Sequence, residues 1–153
     1  MTLTSGGAIT DGDGATTVDI VGGAATLVAA TTVGATGDAA IDLSVTSLRT
    51  TTSGAQHLNA IGAVALDVLN AGAGSITLTS AGEIIDANND LTNNVTASTL
   101  NIAGNQAVTS IETAVSNLGL TTGAASITNT GALAVLDSTL TGQLDLVLSL
   151  IHI

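Results

Sequence analysis

The chain has no cysteine, no proline and no aromatic residue, and apart from two histidines its only basic side chain is Arg49. Without cysteine there is neither a disulfide framework nor a thiolate metal site, and the thiol count carries no information about compartment. Without phenylalanine, tyrosine or tryptophan the interior has no rings to fill irregular space, so a packed core must be narrow and regular. Twelve acidic residues against one arginine give a formal charge of -11. Such a chain lacks the cations that neutralise phosphates or anionic headgroups, which excludes nucleic acid and acidic membrane surfaces as partners. Mean hydropathy is positive, +0.59, yet Gly, Thr, Asn or Asp breaks every apolar run well before the roughly 20 residues of a membrane-spanning helix. The expectation is a soluble chain with no transmembrane segment and no cofactor.

What is present is repetition. TLTSGGAITD at Thr2–Asp11 returns as TLTSAGEIID at Thr77–Asp86. Ile41, Val45 and Leu48 match Ile111, Val115 and Leu118, while Gly54 and Gly62 match Gly123 and Gly131. ATLVA at Ala25 echoes STLNIA at Ser98. The order of matches is preserved, so the chain divides into two units, 1–75 and 76–147. Met1 begins inside a motif that recurs intact at Thr77, and no basic segment leads into an apolar run as a signal peptide would require. Leu148–Ile153 (LSLIHI) departs from the preceding style and resembles translated adapter sequence, a non-native tail. Both ends read as those of a fragment from a longer array.

Within each unit, phrases such as GSITLTS, GAASITNT and GQLDLVLS alternate apolar and polar residues after a glycine. Period-two alternation bounded by Gly, Asn and Asp predicts short strands. Ile41/Val45/Leu48 and Ile111/Val115/Leu118 also fit helical spacing, but their Thr, Ser, Val and Asn neighbours are weak helix formers. A sandwich would need large side chains across a gap of about 10 Å, whereas a parallel β-solenoid stacks like on like at about 4.8 Å. The fold class is therefore all-β, a parallel β-helix. Each unit should hold about three coils of about 24 residues, giving about six coils and a rod roughly 30 Å long. Ile9, Ile41, Val45, Leu48, Leu78, Ile84, Ile111, Val115, Leu118 and Ile127 are expected to point inward, with Gly54, Gly62, Gly123 and Gly131 at turns.

IETAVSNLGLTTGAASITNTGALAV, from Ile111, together with GSITLTSAGEIID, from Gly74, resembles the repeat region of filamentous haemagglutinin-type large bacterial exoproteins. The resemblance covers the chain except its last six residues. It implies a right-handed β-helix, a secreted or cell-surface stalk exported across an outer membrane, and a role in cell adhesion. Its implied partners are flanking repeats of the same chain and, through regions outside this one, surface glycans or proteins of host or neighbouring cells. The family's NPNGI secretion signature cannot occur in a chain without proline, and Arg49 is followed by Thr50, so RGD is absent.

Several residues invite chemistry. DGDG, Asp11–Gly14, offers Asp11 and Asp13 as calcium ligands with glycine making the turn. Against this, the second unit has ANND at Ala87–Asp90, leaving Asp13 with Asp90 as the one shared acid, and turn formation accounts for the residues. His57 lacks the His, Cys or nucleophile-elbow partners of a metal or catalytic site. Glu83 with Asp86, and Glu112 aligned with Asp42, raise a polysaccharide-processing enzyme, but aromatic platforms and basic residues are missing. No catalytic residue is assigned. Asn88, Asn89, Asn93 and Asn94 suggest a carbohydrate-contacting loop or, structurally, turns and stacked amide ladders. Thr2/Thr4, Thr77/Thr79 and Thr128/Thr130 raise ice binding, which would need such pairs at one place in every coil. These observations favour a structural stalk.

Overall fold

The computed structural model describes residues 1–14 and 16–149. They form an all-β parallel solenoid of about 7 turns. Its strands are β1 (Thr2–Ser5), β2 (Ile20–Ala29), β3 (Ile41–Thr51), β4 (Gln56–Ala60), β5 (Val64–Asn70), β6 (Ser75–Ser80), β7 (Ile84–Asp86), β8 (Val95–Gly104), β9 (Val108–Thr122), β10 (Ala125–Thr130), β11 (Ala134–Val135), β12 (Thr139–Leu140) and β13 (Leu144–Ser149). The segments open to a helical reading, around Ile41–Leu48 and Ile111–Leu118, lie in β3 and β9. β-branched side chains pack well on a pleated surface, and here Ile111 stacks on Ile127 one turn away.

The parallel register defines three faces per turn. The first carries β4, β6, the second half of β8 and the end of β9. The second carries the start of β5, then β7, the start of β9 and the start of β10, whose end passes onto the third. The third carries the end of β5, the start of β8 and the middle of β9. On the first face Ile41, Leu58, Leu78, Ile102 and Leu120 stack in succession, and all five are buried. On the second, Val64, Ile84, Val108 and Ala125 do the same. Aliphatic residues suffice because each interior position contacts only a few near neighbours in a narrow tube, which is how the missing aromatics are accommodated.

The third face carries the longest ladder: Leu3, Leu27, Thr50, Leu69, Val95, Thr113, Asn129 and Leu148. Its polar members are buried but satisfied. Thr50 Oγ1 donates to Gln56 Oε1, and Gln56 Nε2 donates to the Asn70 carbonyl at 2.8 Å. Asn129 Oδ1 accepts from Thr113 Oγ1 at 2.8 Å and from the Val115 N–H at 3.0 Å. Pairing buried polar groups in this way removes most of their desolvation cost.

Turns close after as few as 16 residues, from Ile111 to Ile127, and as many as 26, from Leu69 to Val95. This corrects the uniform 24-residue coil and the count of six: turns without insertions are shorter, so the chain completes more of them. The two sequence units also do not superpose by whole turns. Thr2–Ser5 lie on the third face, whereas Thr77–Ser80 lie on the first. Ile41 belongs to the first face and its match Ile111 to the second; Leu27 belongs to the third and its match Leu100 to the first. One unit therefore advances three turns and one face. Leu148 and Ser149, placed above in a non-native tail, continue β13 and pair with Asn129 and Thr130; residues 150–153 of that tail lie outside the described residues.

Candidate functional site

All ten inward candidates, Ile9, Ile41, Val45, Leu48, Leu78, Ile84, Ile111, Val115, Leu118 and Ile127, are buried in the structure. The four candidate glycines sit between strands, for different reasons. A Cβ on Gly54 would lie 2.6 Å from the Thr31 carbonyl oxygen, and Gly131 adopts a φ of 99°, whereas Gly62 faces open space. Gly123 is intermediate, with the Gln106 carbonyl oxygen 3.1 Å from such a Cβ.

The first face is interrupted twice near its start. Between Ile9 and Ile20 the chain inserts residues 10–19, and one turn later, between Val33 and Ile41, it inserts residues 34–40. The next turn runs straight through β4, and described residues of both insertions, Thr16 and Asp38 among them, lie outside it. Gly34, with φ 65°, makes the second bulge possible: a Cβ there would lie 2.3 Å from the His57 carbonyl oxygen. The bulge closes through the Ala35 N–H, which donates to the Ala39 carbonyl at 2.7 Å.

Between this lip and the strands lies a groove of about 230 Å³. Thr16, Ala35, Gly37, Asp38 and Ala40 form the lip side, and Asp42, His57, Asn59, Thr77 and Thr79 the strand side. Asp42, Asn59 and Thr79 are consecutive members of one outward ladder, as are His57 and Thr77. Asp42 is the exceptional member, only 2% exposed beneath the insertions. Its Oδ1 accepts from Asn59 Nδ2, and its backbone N–H donates to Asp19 Oδ2 at 2.8 Å. No cation pairs with it among the described residues; Arg49 is held in a bidentate pair with Asp67, both contacts at 2.9 Å.

In the first insertion Asp11 and Asp13 are joined by Asp19, their carboxylates within 4.8 Å of one another. Asp11 Oδ1 accepts the Asp13 N–H at 3.0 Å, and Asp13 Oδ2 accepts from Thr17 Oγ1. Burial pushes the Asp19 carboxyl up, and the charges of Asp11, Asp42 and Asp13 add to the shift, against the opposing Asp42 N–H. The second copy repeats two of these contacts: Asp86 Oδ1 accepts the Asn88 N–H at 2.8 Å, and Asn94 Oδ1 accepts the Glu112 N–H at 2.9 Å, while the Thr17–Asp13 bond is replaced by Asn88 Nδ2 donating to the Thr92 carbonyl at 3.3 Å. By these contacts Asp13 corresponds to Asn88 rather than Asp90, and Asp19 to Asn94. Asp19 was the member of the cluster that motif reading missed; its 75-residue distance from Asn94, the same offset as TLTS, was the available signal.

The remaining candidates are dispersed. Glu83 Oε1 accepts from Thr109 Oγ1 at 2.7 Å, and Asp86 holds the Asn88–Asn94 loop. Asn89 takes a left-handed φ of 52° and Asn94 is fully buried, its amide donating to Leu66 O and Asp86 Oδ1. In the paired register no Asn faces another Asn, so the expected amide ladder is replaced by amide-to-carbonyl bonds. Thr2/Thr4 and Thr128/Thr130 lie on the third face and Thr77/Thr79 on the first, leaving no common plane of Thr pairs. Among the described residues no helix is long and apolar enough to cross a membrane. The chain matches no family model, no curated protein and no solved structure.

Proposed function

We propose that this chain is a shaft segment of a secreted or cell-surface bacterial adhesin, a structural element that carries a binding region away from the cell. The supporting observation is the third-face ladder, which passes without a break from Leu3 to Leu148 through every turn. Axial hydrogen bonding along such a stack makes a stiff element whose load is shared by many strand pairs. The acidic, lysine-free surface opposes association with nucleic acid and with other acidic surfaces. The resemblance to filamentous haemagglutinin-type repeats points the same way. On this reading the partners are flanking repeats of the same polypeptide, with receptor contacts made elsewhere in it, and no catalysis is assigned.

Immunogold labelling of intact source cells with antibody against this chain tests the reading. Label along fibres projecting from the surface is the expected result, lost on proteinase treatment of whole cells. Label confined to the cytoplasm would overturn it.

A further inference from the structure

We infer that the groove on the first face is a receptor for a single organic cation, an alkylammonium or guanidinium group. Asp42 is the central group of the lining. It is nearly buried and has only the Asn59 amide on one oxygen, an arrangement that favours a positively charged partner. Its other oxygen accepts no hydrogen bond from the described residues and is not one of the fully enclosed atoms, so it opens into the groove that the residue lines. Asp38 adds a second carboxylate from the lip, while His57, Asn59, Thr77 and Thr79 present polar groups from the strands. An ammonium has three N–H donors and a guanidinium five, with no acceptor, which is the complement of this lining.

Other ligand classes fit less well. Anions face Asp38 and Asp42 with no Lys or Arg in the lining. A sugar ring would lack the aromatic platform that a chain without Phe, Tyr or Trp cannot provide. The acidic group spaced to share a metal ion is Asp11, Asp13 and Asp19, none of which lines the groove. At about 230 Å³ the space is below the usual range of about 300–1,000 Å³ for larger organic ligands, and suits one cationic head group. That group comes either from a Lys or Arg side chain of a partner protein or from a free polyamine. The inference does not depend on the shaft reading, since the groove is complete within residues 16–79.

The test is amide chemical-shift mapping of the whole chain with N-acetyl-lysine methylamide, N-acetyl-arginine methylamide, the neutral citrulline analogue and spermidine. Saturable shifts at His57, Asn59, Thr77 and Thr79 with the cationic probes, and none with citrulline, are expected. Asp42→Asn should weaken binding about tenfold or more, with spectral dispersion confirming its fold. Asp38→Asn, at an exposed position, should give a smaller loss. Tighter binding of the amino-acid probes than of spermidine would identify a protein side chain as the source, and the reverse order a free polyamine. Absence of shifts at these residues, equal shifts with citrulline, or unchanged affinity in Asp42→Asn would overturn the inference.

Discussion

Asp19 Oδ2 accepts the backbone N–H of Asp42 at 2.8 Å, across one turn of the solenoid. Its counterpart Asn94 makes the same bond to Glu112 and also turns its amide nitrogen toward Asp86, 2.7 Å away. Asp19 has no such donor to offer Asp11. Asp19→Asn should therefore be stabilising. The raised folded-state pKa means that ionised Asp19 costs stability: its favourable contribution is complete below the unfolded pKa and is lost as pH rises through the folded one. The variant should melt higher at pH 7, by about 1–2 °C once solvent screening at this exposed site is allowed for. The gain should vanish below about pH 4. Circular-dichroism melts at both pH values decide it, and a lower melting temperature at pH 7 would mean that the carboxylate itself is required.

Glu112 extends the argument to the second copy. Its Oε2 is buried without a hydrogen-bond partner, and burial, followed by the charge of Asp86, holds its carboxyl above the ordinary range. Asp90 acts in the opposite direction: the Thr92 N–H at 2.6 Å lowers it, so its contribution is lost as pH falls. Among the described residues these two raised groups, with relief of net negative charge, should outweigh the one exposed lowered group. The melting temperature should rise as pH is lowered from 7 toward the carboxylate range of about 4–5. Glu112→Gln should flatten that rise when melts are taken across the range.

Ile111 has no exposed surface and stacks on Ile127. Ile111→Asp buries a charge with no counter-ion and should cost about 4 kcal/mol, provided the chain still folds. Urea titration would show this as a fall in midpoint; an unchanged midpoint is incompatible with an inward Ile111.

Two glycines one turn apart separate close packing from habit. A Cβ on Gly82 would lie 2.1 Å from the Ala63 nitrogen, while one on Gly62 would meet nothing within 4 Å. Gly82→Ala should cost about 1–3 kcal/mol and Gly62→Ala should stay within about 0.5 kcal/mol of the parent. Paired thermal melts test the contrast, and equal losses would contradict the stacking of the two turns.

Much of the architecture was legible because each residue in a solenoid reports its own environment. Alternation around Ile76, Leu78, Leu100 and Ile102 states which side chains face inward without reference to distant chain segments, and aliphatic identity states that the interior is narrow. Turn length was not legible, because it depends on how far residues 10–19 and 34–40 loop out before rejoining the stack, which alternation does not encode. The groove was hidden for the same reason. Asp42 looks like a solvated strand residue until the inserted lip covers it, and His57 and Thr79 lie 22 residues apart in sequence yet border one space.

The advance of three turns and one face per unit has a consequence for any longer array built on this period. The loop at 10–19 leaves from the first face, and its counterpart at 87–93 leaves between the second and third. Equivalent loops would follow a helical staircase around the shaft, returning to the same side only after three units. A partner approaching from one direction would then meet every third loop, and a fibre so built would look alike from all sides.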